Sequence, residues 1–255
     1  MSEHVDNILL EIDGFIATLT LNIPEKHNSL NGDSQAQLCA HLDTIAQHAD
    51  VRVVIVTGAG DKTFCAGAAL DQMGSGEISG DTFTDMTDKL AALPLPTICA
   101  FNGSAYGGGS EIGLACDFRI GFANMRLFVP PARIGLCYPV NGIERFVQTL
   151  GLPVAKRLLL ASEDFRGEEL LRVGYLTHLV EHDQVLSKAR ALAERMAGYA
   201  PLAVQAMKRI SQDVAKGQLD KVTTNAIARG CNDSEDLKEG LAAHREKRPP
   251  RFQGR

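Results

Sequence analysis

Most of the chemistry open to this sequence rests on glycine-rich segments and one carboxylate. The fullest segment is Asn102-Gly103-Ser104-Ala105-Tyr106-Gly107-Gly108-Gly109-Ser110-Glu111, which follows a strand-like run at 97–101. Three consecutive glycines opening a helix let another molecule approach the backbone closely. The N–H groups of that first turn carry partial positive charge and suit an anion or an oxyanion. Glu111 stands three residues after Gly108, so it projects from the same helical face one turn in. A carboxylate then sits beside an oxyanion donor. In the competing structural reading the glycines relieve packing and Glu111 faces solvent.

A second segment, Phe64-Cys65-Ala66-Gly67-Ala68-Ala69-Leu70, is crowded with small residues. It has no side-chain chemistry, so any function runs through backbone N–H groups; a tight loop explains it equally well. The Gly- and Ser-rich stretch 74–80 after it reads as a mobile loop. Thr57-Gly58-Ala59-Gly60 invites a dinucleotide reading, but Thr63 stands where the third glycine is needed. It reads as a strand-end turn. A nucleophile elbow at Ser110 fails too, because Gly108-Gly109-Ser110-Glu111-Ile112 lacks its closing glycine. The histidines form no H-E-x-x-H pattern, and His178 and His182 fall in or beside a strand-like stretch. No metal is expected.

These segments need a scaffold, and the first half supplies strands and helices in alternation. Residues 8–12 and 15–22 read as a hairpin about Asp13-Gly14. Leu38, Leu42 and Ile45 recur at helical spacing after Asn31-Gly32-Asp33, which predicts a helix over 33–48. The β-branched run 51–56 has the character of a strand buried on both faces. Strand, crossover and strand without a tight turn imply parallel pairing. The fold class is α/β.

The last third changes character. Val185, Ala189, Leu192 and Met196 form one helical stripe. Pro201 opens another, with Ala203, Met207, Ile210 and Val214 on one face, and polar helices continue to about 245. A boundary near 198–201 divides the chain into a core, 1–198, and a helical region, 199–255. Helices without strand partners pack either on another subunit or back on their own domain.

With 255 residues, 45% hydrophobic and 22% charged, the chain has globular composition, which excludes disorder and long coiled coils. A net charge of −5 argues against a dedicated nucleic-acid binder. Six cysteines without a CxxC pair read mostly as buried free thiols. No apolar run approaches the roughly 18 residues of a membrane span. The start, 1–6, is acidic and polar rather than leader-like, so a cytoplasmic location is expected.

Four stretches together carry a family resemblance. Pro24-Glu25-Lys26-His27-Asn28-Ser29-Leu30-Asn31 resembles a CoA-contacting loop, and 64–70 an A-G-A-D-L oxyanion segment. Residues 102–111 resemble N-G-x-x-x-G-G-G-x-E, and Ser234-Glu235-Asp236, Glu239-Gly240 and Glu246-Lys247-Arg248 a family ending. The chain thus resembles the crotonase superfamily, the enoyl-CoA hydratase/isomerase proteins, along nearly its whole length. That resemblance implies a spiral of ββα turns and C-terminal helices that build trimers, often paired into hexamers. It implies an acyl-CoA thioester as substrate, with no further cofactor and no membrane or nucleic-acid partner. By motif position, the N–H groups of Ala68 and Gly108 would hold an enolate oxygen while Glu111 acts as acid/base. Asn28, Ser29, Ala66, Ala68, Leu70, Gly107, Gly108 and Pro131 would contact the CoA or acyl group. Lys247 would reach a CoA phosphate, commonly across a subunit interface.

The departures are as informative as the match. Where a hydratase of this family has its second glutamate, this sequence has Pro131, which cannot ionise. Ala69 replaces an aspartate that orders the oxyanion loop. The stretch 134–143 looks more like the methylmalonyl-CoA decarboxylase branch, with a Tyr at Tyr138, although Gly67-Ala68-Ala69 lacks that branch's G-H-D. Tyr138 would orient a carboxylate, supply a proton, or simply wall the acyl pocket. One carboxylate suffices to move a proton between carbons, so isomerisation is easier here than hydration, and decarboxylation needs still less of a base. A CoA- or RNA-binding scaffold without chemistry is the non-enzymatic alternative, and retention of Glu111 argues against it.

Overall fold

The computed structural model describes residues 6–255; positions 1–5, which entered the targeting argument, lie outside the described residues. The chain opens with the expected hairpin, β1 (Ile8–Asp13) and β2 (Ile16–Leu21), turned at Gly14, whose φ of 57° suits glycine. Helix α1 (Gly32–Gln47) follows, capped by the Asn31 side chain on the Ser34 N–H.

Three similar turns then wind onward. Each places one strand in a large sheet, the next in a small sheet, and a helix after them. The first has β3 (Val53–Gly58), β4 (Thr63–Cys65), α2 (Leu70–Ser75) and α3 (Gly80–Ala91). The second has β5 (Thr97–Ala100), β6 (Ser104–Tyr106) and α4 (Gly108–Ala115). The third has β7 (Phe118–Phe122), β8 (Arg126–Phe128) and the long α5 (Val140–Leu159). Then β9 (Phe165–Arg166), α6 (Gly167–Arg172), β10 (His178–Val180) and α7 (Val185–Ala197) complete the core. The large sheet runs β1-β2-β3-β5-β7-β10, parallel from β2 onward, and the small one β4-β6-β8-β9. This is a ββα spiral.

The β-branched run does pack on both faces. Val54 and Val56 of β3 point into the main core with Leu38, Leu42 and Ile45 of α1. Val53 and Ile55 point the other way, beneath Ala189, Leu192 and Met196 of α7. The glycine-rich stretch 74–80 is less of a loop than its composition suggested: Gly76 ends α2, and a Ser79–Thr82 capping box starts α3. Three cysteines, Cys65, Cys99 and Cys116, are buried as expected, but Cys137 is exposed. Among the described residues, no helix is long and apolar enough to cross a membrane.

Helices α8 (Pro201–Ala215), α9 (Lys221–Asn232) and α10 (Glu235–Glu246) follow. The Lys208 side chain ties α8 to Asp117 at 2.8 Å and to the Leu95 carbonyl. Gln212 also donates to the Ala91 carbonyl at 3.3 Å, but α8 buries only Ala206 and α9 buries no residue. The segment after α10 folds back onto the chain. The Asp236 carboxylate accepts from the N–H groups of Gln253 and Gly254, and Arg52 donates to the carbonyls of Phe252 and Ala197. Arg248 is taken up by Glu239 and Glu246.

Opposite faces of α7 test this packing. Leu192→Ala is expected to lower unfolding free energy in urea by about 2–5 kcal/mol, because Leu192 fills the space against β3. Exposed Leu186→Ala on the same helix should change it by no more than about 0.5 kcal/mol.

Candidate active site

Ala68 and Gly108 lie where the two glycine segments meet. Leu30 and Ala68 form a parallel bridge in which Leu30 N donates to Gly67 O at 2.8 Å and Ala69 N to Leu30 O at 3.0 Å. In such a bridge the intervening residue turns its own N–H away from the partner strand, so the Ala68 N–H points elsewhere. Gly67 lies directly against the other glycine segment: a Cβ placed on it would fall 2.7 Å from Gly108 N. Gly107, at φ 50° and ψ −120°, gives its N–H to Phe128 O at 2.8 Å and opens α4. The N–H groups of Ala68 and Gly108 have no acceptor among the described residues.

A cavity of ≈ 140 Å³ opens beside them, lined by Ala66, Ala68, Leu70, Met73, Phe83, Tyr106, Gly107, Gly108, Glu111, Pro130, Pro131, Ile134, Leu136, Tyr138 and Pro139. The wall is almost wholly apolar, with exposed Leu70 and Ile134 among its residues. Its one carboxylate is Glu111.

The solvent-facing alternative for Glu111 does not hold, since the residue is 1% exposed. A buried carboxylate needs donors, and three converge on it. Tyr138 Oη donates to Oε2 at 2.7 Å; Thr87 Oγ1 lies 2.8 Å and Arg145 Nη1 3.0 Å from Oε1. Thr87 Oγ1 also accepts from Arg145 at 2.9 Å and lies 2.9 Å from the Thr84 carbonyl. Arg145 in turn pairs with Asp88, whose other oxygen accepts from Asn141 at 2.9 Å. Burial, reinforced by the neighbouring Glu111 charge, pushes the Tyr138 phenol well above its ordinary value, so it is a neutral donor. Tyr138 is thus both a wall of the cavity and a partner of the carboxylate. Gly142 leaves room for that pairing, because a Cβ there would sit 2.5 Å from the Tyr138 ring and 3.0 Å from Glu111 Oε2.

The other expected contacts divide. Ala66, Ala68, Leu70, Gly107, Gly108 and Pro131 all line the cavity. Asn28 does not: its side chain is fully buried, accepting from Ile23 N and donating to the carbonyls of Ala59 and Thr63. It builds the loop from within, and its own N–H is taken by the Ile23 carbonyl at 2.8 Å. Ser29 beside it is half-buried, and Lys247 is an exposed residue at the end of α10, away from this cavity's wall. Ser110 is buried and donates to the Gly107 carbonyl, so it serves the helix start and not nucleophilic chemistry. His182 bonds the Asn102 carbonyl and His178 the Thr177 hydroxyl, and no metal-binding cluster forms among the described residues.

Thr87, Asp88 and Arg145 were missed by sequence reasoning. A signal for two of them exists. Gly142, Phe146 and Leu150 mark the inward stripe of α5, and Arg145 borders it. Thr87 interrupts the apolar stripe Phe83, Met86 and Leu90 of α3. Nothing in the sequence says that both would meet Glu111.

A ββα spiral that brings two glycine segments and one buried carboxylate to the wall of an apolar cavity has the crotonase architecture. Residues 11–255 match the enoyl-CoA hydratase/isomerase family, and the chain belongs to it. It is 34% identical to the short-chain-enoyl-CoA hydratase of Clostridium acetobutylicum, over 96% of this chain and 97% of that one. It is equally, 34%, identical to the (E)-benzylidenesuccinyl-CoA hydratase of Thauera aromatica, over 97% and 99%. Among solved structures, an enoyl-CoA hydratase/carnithine racemase from Magnetospirillum magneticum superposes with a TM-score of 0.92 at 28% identity, over 98% and 97% of the two chains. Family membership makes this an acyl-CoA-processing protein.

The donor pair can be tested at Gly108. Any side chain there presses on the Phe83 ring, so Gly108→Ala measures that strain with the N–H kept. Gly108→Pro adds loss of the N–H. Turnover of an acyl-CoA thioester should fall a further ~10²–10³-fold from the Ala to the Pro variant; equal rates would remove Gly108 as a donor.

Proposed function

We propose that the protein forms and reprotonates the enolate of an acyl-CoA thioester in this cavity. The Ala68 and Gly108 N–H groups hold the thioester oxygen, and Glu111 is the single acid/base. The observation that carries this reading is that Glu111 is the only carboxylate on a wall where two N–H donors are available. Glu111 takes a proton from the α-carbon of a β,γ-unsaturated thioester, and the electron pair moves onto the thioester oxygen. The same carboxyl returns the proton at the γ-carbon as the double bond shifts, so nothing is gained or lost. Hydration needs one group to activate water and another to deliver a proton, and Pro131 can do neither. Each such group typically contributes about 10²–10⁴ in rate, so double-bond isomerisation outruns hydration here.

A second reading is decarboxylation of a malonyl-type thioester, favoured by the apolar wall. A substrate carboxylate held there loses solvation, and departure of carbon dioxide leaves the enolate without removal of any α-proton.

The C-terminal helices support assembly into a trimer or a pair of trimers. Met207, Val214, Val222, Leu237 and Leu241 stand exposed on α8, α9 and α10, apolar side chains that a neighbouring copy would cover. Lys247, an exposed cation beside an Arg248 already paired, would meet a CoA phosphate from a neighbouring copy. Light scattering should give three or six chains per particle, and Met207→Glu with Val222→Glu should give smaller ones.

The reaction is tested by mass spectrometry of crotonyl-CoA incubated in deuterated water. Deuterium entering the γ-position without added water is the expected result, and it should vanish in Glu111→Gln. Gain of one water at a comparable rate would overturn the single-base reading. Carbon dioxide from a malonyl-type thioester without exchange would select the second reading, and inertness to both would leave a CoA-binding scaffold. Pro131→Glu should raise hydration by about 10²-fold or more.

A further inference from the structure

Behind the cavity wall, one cation is shared by two carboxylates of different exposure. Arg145 Nη1 meets Glu111 Oε1 at 3.0 Å, and Nη2 meets Asp88 Oδ1. Glu111 is buried, whereas the Asp88 side chain is 40% exposed and the Arg145 side chain 13%. Arg145, Asp88 and Thr87 do not line the cavity; Tyr138 does. The two oxygens of Glu111 therefore have separate surroundings. Oε1 is bonded to groups behind the wall, and Oε2 is bonded to Tyr138 on the cavity side.

The other titratable groups around Glu111 do not compete for this role. Tyr138 and Tyr175 are buried phenols whose ionisation is pushed well up, and the Cys65 thiol of β4 is pushed up to about 12 by burial. Arg119, beyond the end of α4, is occupied by the carbonyls of Cys116 and Tyr175. On α3, Lys89 pairs with Asp43 at 2.6 Å; on α5, Glu144 accepts from Gln148. The charges acting on Glu111 are those of Arg145 and Asp88.

We propose that Arg145, held by Asp88, is a positioning residue that anchors Glu111 Oε1 behind the wall and leaves Oε2, beside Tyr138, to handle the substrate proton. Asp88, reaching solvent, sets how much of the Arg145 charge Glu111 receives. The inference rests on Glu111 being the acid/base, but its central test needs no substrate.

The test follows the Glu111 carboxyl carbon by NMR through a pH titration of ¹³C-glutamate-labelled protein, the signal being assigned by its loss in Glu111→Gln. An adjacent cation favours the ionised carboxylate, so Arg145→Gln should raise the midpoint by about 1–3 pH units. Removing the negative charge in Asp88→Asn should move it the opposite way, downward. Opposed shifts are not what a merely structural role produces. A midpoint unmoved in Arg145→Gln, or moved upward in Asp88→Asn, would overturn the proposal. If Arg145→Gln fails to fold, the sign in Asp88→Asn decides alone. A second readout is conversion of 3-butenoyl-CoA to crotonyl-CoA. There Arg145→Lys keeps the charge but loses the planar fork, so kcat should fall at least tenfold with KM little changed; an unchanged kcat would remove the positioning role. A wild-type enzyme inert to 3-butenoyl-CoA would count against the proposed reaction, while the titration would still decide the role of Arg145.

Discussion

The contact between Gly67 and Gly108 sets the terms for the rest of the molecule. Backbone from two successive turns of the spiral comes together there so closely that a single Cβ on Gly67 would strike Gly108 N. That approach requires β4 and β6 to run parallel in the small sheet, each delivering its glycine segment at the same end. It also requires the Leu30–Ala68 bridge on one flank and the Gly107–Phe128 hydrogen bond on the other. With neighbouring N–H groups engaged, the two left over are fixed in direction.

The carboxylate imposes a second constraint. Burying an unpaired charge costs several kcal/mol, so Glu111 persists in an apolar wall only because three donors reach it. Those donors come from α3, α5 and the loop before α5, and α4 packs against both helices. Pro131 adds no competing charge. The structure thus places one buried and fully partnered carboxylate on this wall.

Much of the fold could be read in the sequence because its signals are local. The Asp13-Gly14 turn, the β-branched run of β3 and the stripe of α7 each follow from nearest-neighbour chemistry. The cavity wall was legible for the same reason, since Ala66, Ala68, Gly107 and Gly108 line it with backbone that small residues leave accessible. What escaped was tertiary. Whether Asn28 points outward or binds three backbone groups inside depends on how its loop closes over β4. Likewise Thr87 and Arg145 lie 24 and 34 positions from Glu111, and only the packing of three helices makes them neighbours.

Thr87 carries one hydroxyl hydrogen and has two acceptors within reach, Glu111 Oε1 and the Thr84 carbonyl. It can serve one of them at a time. An ionised Glu111 draws the hydrogen to itself; a protonated one releases it to the helix carbonyl, with Arg145 still donating to the Thr87 oxygen. The environment of the carboxyl group therefore adjusts to a change of charge by rotating a single O–H bond. No heavy atom has to move, so a buried group surrounded by close packing can gain and lose a proton with little reorganisation of the protein around it.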